Sequence, residues 1–495
     1  MPTLIGMLFA AACGLGAMLL YLRVKKYAAL FGYDRRRDQT IRLDDAYVQD
    51  LSIELTDAGF VYQGLSGEWD TLLLELDIRA TGLGWIVDPA IKFQCFDRKI
   101  VQYFERDARG RRYVNLSDLL CCKAWQEGAR VEMRGRHITW KKGVARLRLM
   151  RTVESNGPVM VVAPHPDDAE IAAFGYYCRR EAWVVTVTTG ERGSEGIRDI
   201  IGEVDQQDFR SRVRLWNSLS VPMLGSVACD RIVNLGYPDG QLADLYVGRL
   251  NDAEAYQRLV RTRQSNVHKQ VSKVPTHLSW DGLVEDLTTT MLAAIPLTVV
   301  APHPLLDRHT DHQYTALAVA EAVLRSGLTT GNMLLYAVHG SWGGAHPLGE
   351  SKGTLSAVPW FDDSQLAQHV FSETLGPIEQ GLKALALDSM YDLRGFPCVD
   401  DPGLRKTALL ALRSIYQRIV CYQTDFLRRA VRPNEFFFVV PYSRVREYFE
   451  LYAQQIPGFR GEWAPVAARD VTVSYASNSQ SPGSEKVQLG KTTDT

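Results

Sequence analysis

The chain has 495 residues, enough for two or three domains and a large buried core, and its 46% apolar and 23% charged residues are ordinary for a globular protein. A formal net charge of -1 speaks against a nucleic-acid binder, which normally carries a basic excess. The eight cysteines form no CxxC pair, which speaks against a zinc ribbon; several sit in apolar runs, as free buried thiols do.

Met1–Leu22 holds no charged side chain, and its roughly 20 mostly apolar residues from Thr3 onward suffice to cross a ~30 Å hydrocarbon core as a helix. Basic residues follow the run instead of preceding it: Arg23, Lys25, Lys26, then Arg35, Arg36 and Arg37. That flank belongs to a retained anchor more than to a cleaved signal peptide. It also leaves the bulk of the chain on the cytoplasmic side. Residues 1–24 are thus expected to be a single-pass anchor in the inner (cytoplasmic) membrane, and residues 25–45 a charged linker.

From 46 to 150 the pattern is short and strand-like: Thr71–Leu76, Ile91–Phe96 and Val131–Gly135, separated by turn signals at Thr81–Gly84 and Arg109–Gly110. This predicts a small all-β, sandwich-like accessory domain. Trp69, Trp85, Trp125 and Trp140 could line a sugar-binding face, although core packing is the commoner use of tryptophan.

After Gly157 and Pro158 short β-branched runs alternate with helix-length segments: Val159–Val162, Trp183–Thr188, Thr298–Ala301, Leu334–Val338 and Phe436–Val440. The alternation predicts an α/β domain over 157–465, a Rossmann-like parallel sheet with helices on both faces and ligand sites at the carboxyl ends of its strands. An insertion at about 245–285 interrupts it. Within that insertion Asn251–Lys273 reads as a polar, basic, solvated helix, with contact to a phosphate or an anionic lipid surface as the second reading. Residues 466–495, rich in Ser, Thr, Gly and Gln from about Ser474, are expected to be a disordered tail.

Two strand ends carry unusual chemistry. Val159–Ala163 runs into Pro164-His165-Pro166-Asp167-Asp168, and Thr298–Ala301 leads to His303, His309 and His312 within ten positions. His309 and His312 are three apart and share a face on a helical turn. HxxH alone is weak, but two histidines and a carboxylate with one open position make a hydrolytic zinc site. Adjacent aspartates can divide the labour: one binds the metal, and its neighbour takes a proton from the attacking water. The plainer alternative is a helix cap near Ala169, which needs one Asp and no histidine.

Pro164–Glu170 resembles the first signature of the PIG-L/LmbE family of zinc-dependent N-deacetylases, and Asp307–His312 resembles its second. Thr188–Glu191 and Leu235–Gly240 match intermediate features in the same order, so the resemblance covers about 157–345 and fades towards 465. Phe174-Gly175 stands where a glycine pair is usual, and Ser220 where Gly is common. The resemblance implies that His165, Asp168 and His312 ligate zinc (Zn2+), that Asp167 is the general base, and that His309 stabilises the oxyanion. It further implies removal of acetyl from an N-acetylated amino sugar. With the anchor, the expected substrate is lipid-linked: a bacterial envelope glycan of the lipopolysaccharide-core type, or in a eukaryote the glycosylphosphatidylinositol precursor. The rivals are a same-family amidase on a soluble N-acetylglucosaminyl compound and a non-catalytic glycan-binding scaffold. A scaffold would be expected to have lost one of His165, Asp167, Asp168 or His312, and all are present.

Overall fold

The computed structural model describes residues 2–64, 67–122, 125–151, 157–192, 206–268, 273–340, 346–359, 368–393, 408–409, 411–412 and 426–460. The predicted tail at 466–495 lies outside the described residues. The chain opens with helix α1, Pro2–Ala29. Most side chains of the apolar run up to Leu22 also lie outside the described residues, and among those described no helix is long and apolar enough to cross a membrane.

Nine strands follow: β1 (Val48–Leu55), β2 (Gly59–Val61), β3 (Thr71–Ala80), β4 (Ala90–Cys95), β5 (Arg98–Tyr103), β6 (Arg109–Asn115), β7 (Arg130–Arg136), β8 (Ile138–Trp140) and β9 (Gly143–Met150). They form two antiparallel sheets, one ordered β1-β9-β3-β6 with β8 also on β3, the other ordered β2-β7-β4-β5. Alternate residues of both sheets (Leu72, Leu74 and Leu76 against Ile91, Phe93 and Val131) fill one core, as in a sandwich. The four tryptophans are dispersed. Trp125 stacks on Tyr62 at 4.2 Å, Trp140 Nε1 donates to Thr56 O at 3.0 Å, Trp85 is exposed, and Trp69 lines a cavity with Tyr47.

A third, larger sheet is ordered β12-β11-β10-β13-β14-β16-β15, from β10 (Val159–Ala163), β11 (Ala182–Thr188), β12 (Ile232–Tyr237), β13 (Thr298–Pro302), β14 (Asn332–Tyr336), β15 (His369–Thr374) and β16 (Asn434–Pro441). The strands from β12 to β14 run parallel. Here the expectation needs a correction: β16, read as a parallel strand, pairs antiparallel with both β14 and β15, because the chain re-enters from the carboxyl edge of the parallel strands. Along β10, Val159, Val161 and Ala163 pack on one face against Ala173 and Phe174 of α2 (Asp168–Tyr177). Met160 and Val162 pack on the other face, with Leu283 and Leu287 of Trp280–Ala294. Burial on both faces is why these strands are unbroken apolar runs. The chain moves outward in both directions from the boundary between β10 and β13, and both predicted motifs follow those two strands.

Each edge of this sheet is covered, which removes a pairing hazard. At β15, Ser372 N–H donates to Thr71 Oγ1 at 3.0 Å and Asn115 Nδ2 donates to Ser372 Oγ at 2.8 Å, so the sandwich abuts this edge. Helix Ala253–Ser265, inside the insertion, packs along β12. It is not the solvated helix expected: Arg258, Thr262 and Arg263 are buried, and Arg263 bonds Asp286 and donates to Leu235 O at 2.7 Å. Residues 25–45 likewise do more than link, since Tyr27, Phe31, Ile41 and Leu43 are buried.

Candidate active site

His165 and Asp168 lie where β10 turns into α2, and His309 and His312 open helix Thr310–Ser326 after β13. The structure brings all of them together at the carboxyl edge of the sheet. Asp168 Oδ2 lies 3.0 Å from His165 Nδ1 and 3.0 Å from His312 Nε2, and those two nitrogens are 3.2 Å apart. Ligands at ~2.0–2.2 Å around tetrahedral zinc stand about 3.3–3.6 Å from one another. Three donor atoms of the right kinds are therefore already nearly at metal-ligand spacing, and buried.

The surrounding groups orient them. His312 Nδ1 bonds Asp307 Oδ2 at 2.9 Å, which turns Nε2 towards Asp168. Asp307 also accepts from Val338 N–H at 2.8 Å and His339 N–H at 3.2 Å, so its position is fixed by backbone. His165 Nε2 faces Asp239 Oδ1 at 3.2 Å and Asp311 Oδ2 at 3.3 Å, which leaves Nδ1 directed at the other two donors. Carboxylates behind ligating imidazoles are the usual second layer of a metal site. Burial alone would raise the Asp168 pKa, but His312 and His165 hold it well below the ordinary carboxylate range. Burial would lower that of His312, but Asp168 and Asp307 push it up to about 9. Such a concentration of buried carboxylates calls for positive charge, and a dication fits that demand as well as the donor set.

Asp167 does not cap α2: its side chain makes no capping bond and instead meets Arg214 Nη2 at 3.2 Å. Arg214 belongs to helix Gln206–Ser220 and also meets Asp392 at 3.3 Å. Gly190 lets this wall close up. Its φ is +67°, and a Cβ there would stand 2.8 Å from both Arg214 Nε and Pro166 Cδ. Burial raises the Asp167 carboxyl above its ordinary range, with Arg214 opposing. The two aspartates therefore point to different partners.

His309 is half-buried beside the donors, its ring 4.9 Å from that of His165. Its Nδ1 accepts from Asp311 N–H at 3.2 Å, which places the proton of the neutral ring on Nε2. Burial, with the neighbouring His165 and His312, pushes its pKa down to about 4, so it stays neutral. His303, in contrast, lies away from the cluster. Its Nδ1 accepts from Leu305 and Leu306 N–H at 3.1 Å and its Nε2 meets Tyr448 Oη at 3.0 Å, so it pins a turn.

Residues 160–323 match the family model described as PIG-L, GlcNAc-PI de-N-acetylase. This segment is similar to a PIG-L-family domain. It contains His165, Asp167, Asp168, His309 and His312. No curated protein matches the chain. Among solved structures, GalB, the 4-carboxy-2-hydroxymuconate hydratase of Pseudomonas putida KT2440, is 14% identical, over 58% of this chain and 97% of that one, with a TM-score of 0.29. A family two carbohydrate esterase from Cellvibrio japonicus is 11% identical, over 59% of this chain and 87% of that one, with a TM-score of 0.18. Likenesses so slight carry no argument.

The site also gathers residues that sequence reasoning gave no role: Asp239, Asp311 and Arg214 within the matched segment and, beyond it after β14, His339. The ring of His339 lies 4.8 Å from that of His312, and with Asp168 and His312 it forms another group able to hold a metal. Asp239 and Asp311 stood inside quoted motifs. His339 follows a strand end, the one available signal; Arg214 had none.

Proposed function

We propose that the protein is a zinc-dependent N-deacetylase that removes acetyl from an N-acetylated amino sugar. The observation that carries this reading is the buried triangle of His165 Nδ1, Asp168 Oδ2 and His312 Nε2, with Asp167 and His309 on its border. Zinc held there would supply Lewis acidity, polarising the amide carbonyl and acidifying water to near neutral pKa. Asp167 then takes the proton of the attacking water, while Arg214 holds its carboxylate in place. His309 Nε2–H donates to the oxyanion as the carbonyl carbon becomes tetrahedral. Asp167, now protonated, gives its proton to the departing amine, so one carboxylate serves as base and then as acid.

Membrane attachment through residues 1–24 is part of the proposal and rests on the sequence of that run. Attachment raises the local concentration of a lipid-borne substrate, which favours a lipid-linked or envelope glycan of the lipopolysaccharide-core type over a soluble compound. Mass spectrometry of envelope glycans from a deletion strain tests this: one hexosamine should retain its acetyl group. Unchanged glycans, with acetate released only from soluble N-acetylglucosaminyl compounds, would favour the soluble-substrate amidase.

A further inference from the structure

The foot of α1 is fastened to the body at several points. Tyr27 and Phe31 are only 4% and 8% exposed. Arg106 N–H donates to Tyr27 Oη at 3.2 Å, and the Arg106 guanidinium, paired with Asp88 at 2.8 Å, lies 4.3 Å over the Tyr27 ring. Tyr33 Oη donates to Glu105 at 2.9 Å. Between the two tyrosines, Gly32 passes so close to Arg308 that a Cβ on it would stand 2.4 Å from Nη1. Arg308 immediately precedes His309. The helix foot thus touches both the sandwich and the rim of the catalytic cluster.

Beside this foot, the 3-10 turn Gly82–Trp85 presents two large apolar side chains to solvent, Leu83 at 52% and Trp85 at 46% exposure. Single exposed apolar residues are commonplace. Trp85 adjoins the end of α1, since Trp85 and Gly82 line one cavity with Val24, Arg35, Arg36, Asp107 and Arg109. The neighbourhood is basic on balance: residues 23–38 hold Arg23, Lys25, Lys26, Arg35, Arg36 and Arg37 against Asp34 and Asp38, and Asp107, in the lining of the same cavity, pairs with Arg36 and stands 3.8 Å from Arg109. Tryptophan favours the level of lipid headgroups, where its ring is sheltered and its N–H wetted, and basic side chains gather anionic lipid.

We propose that the turn Gly82–Trp85, flanked by Arg35, Arg36 and Arg109, beds into the anionic headgroup layer of the membrane crossed by α1, and so holds the catalytic mouth beside Arg308 at the bilayer surface. This rests on reading residues 1–22 as the anchor. It narrows the substrate to amino sugars whose acetamido group lies within reach of the headgroups.

The test reconstitutes the full chain in phosphatidylcholine vesicles containing phosphatidylglycerol, with acyl chains brominated close to the headgroup. Bromine should quench a component of tryptophan emission that Trp85→Phe lacks, and Leu83→Glu should diminish that component. If the chain withstands an alkaline carbonate wash but wild type and Trp85→Phe are quenched alike, the docking surface is refuted and the anchor stands. A chain that washes off the vesicles refutes the anchor, and the docking surface with it.

Discussion

Replacing Asp307 by Asn probes the site without touching a ligand. Its Oδ2 holds three groups, His312 Nδ1 at 2.9 Å, Val338 N–H at 2.8 Å and His339 N–H at 3.2 Å, whereas among the described residues Oδ1 accepts from His309 N–H alone, at 3.3 Å. The substituted amide would settle with its oxygen at the crowded position and its NH2 facing His309 N–H. The bond to His312 then loses its charge assistance, about 1 kcal/mol on the difference between charged and neutral hydrogen bonds. The opposed donors at His309 add a cost of similar size. About 1–3 kcal/mol matches the 10–100-fold loss of metal affinity typical when such a supporting carboxylate is removed. The assay is a zinc titration in competition with a chromophoric chelator, beside a thermal melt to establish folding. Zinc affinity equal to wild type in a folded Asp307→Asn protein would refute the role given to His312 Nε2.

Further outcomes separate the remaining roles. Asp168→Asn should lose zinc, because a neutral amide oxygen is a poorer donor to a dication, whereas Asp167→Asn should keep zinc and lose ~10²–10⁴ in kcat; zinc analysis beside kcat reads both, and the reverse pattern exchanges the two assignments. His309→Ala should keep zinc and lose ~10²–10³ in kcat as an oxyanion donor; an unchanged kcat would remove it from the mechanism. Lys383→Met should destabilise by ~3–5 kcal/mol, since it strands Glu435, whose fully buried carboxylate bonds Lys383 Nζ at 2.7 Å and Gly175 and Tyr176 N–H at 2.9 Å. Denaturant unfolding measures this, and a loss under about 1 kcal/mol would mean the pocket admits water.

The strands that carry the site were legible because a strand buried on both faces is an unbroken apolar run. PHPDD and the HxxH stood out because charge ends such runs. What stayed hidden depends on which segments meet in space. Arg214 reaches Asp167 across 47 positions, and Asp239 from the loop after β12 and Asp311 from the first turn of helix Thr310–Ser326 converge on one ring nitrogen. The insertion helix misled because Arg258 and Arg263 count as surface residues in any composition argument, yet Glu191 and Asp286 take them inside. The direction of β16 was equally hidden, because Phe436–Val440 reads the same whichever way it pairs. His303 showed the opposite error, a histidine beside a motif that only fastens a turn.

Acetate release by metal-free protein, followed as zinc is added, tests the central claim most directly. With an N-acetylhexosamine substrate the rate should start near zero, rise in proportion to zinc and level off at one equivalent. Release at the full rate without metal, or none at any zinc level from a protein that binds it, would contradict the deacetylase reading.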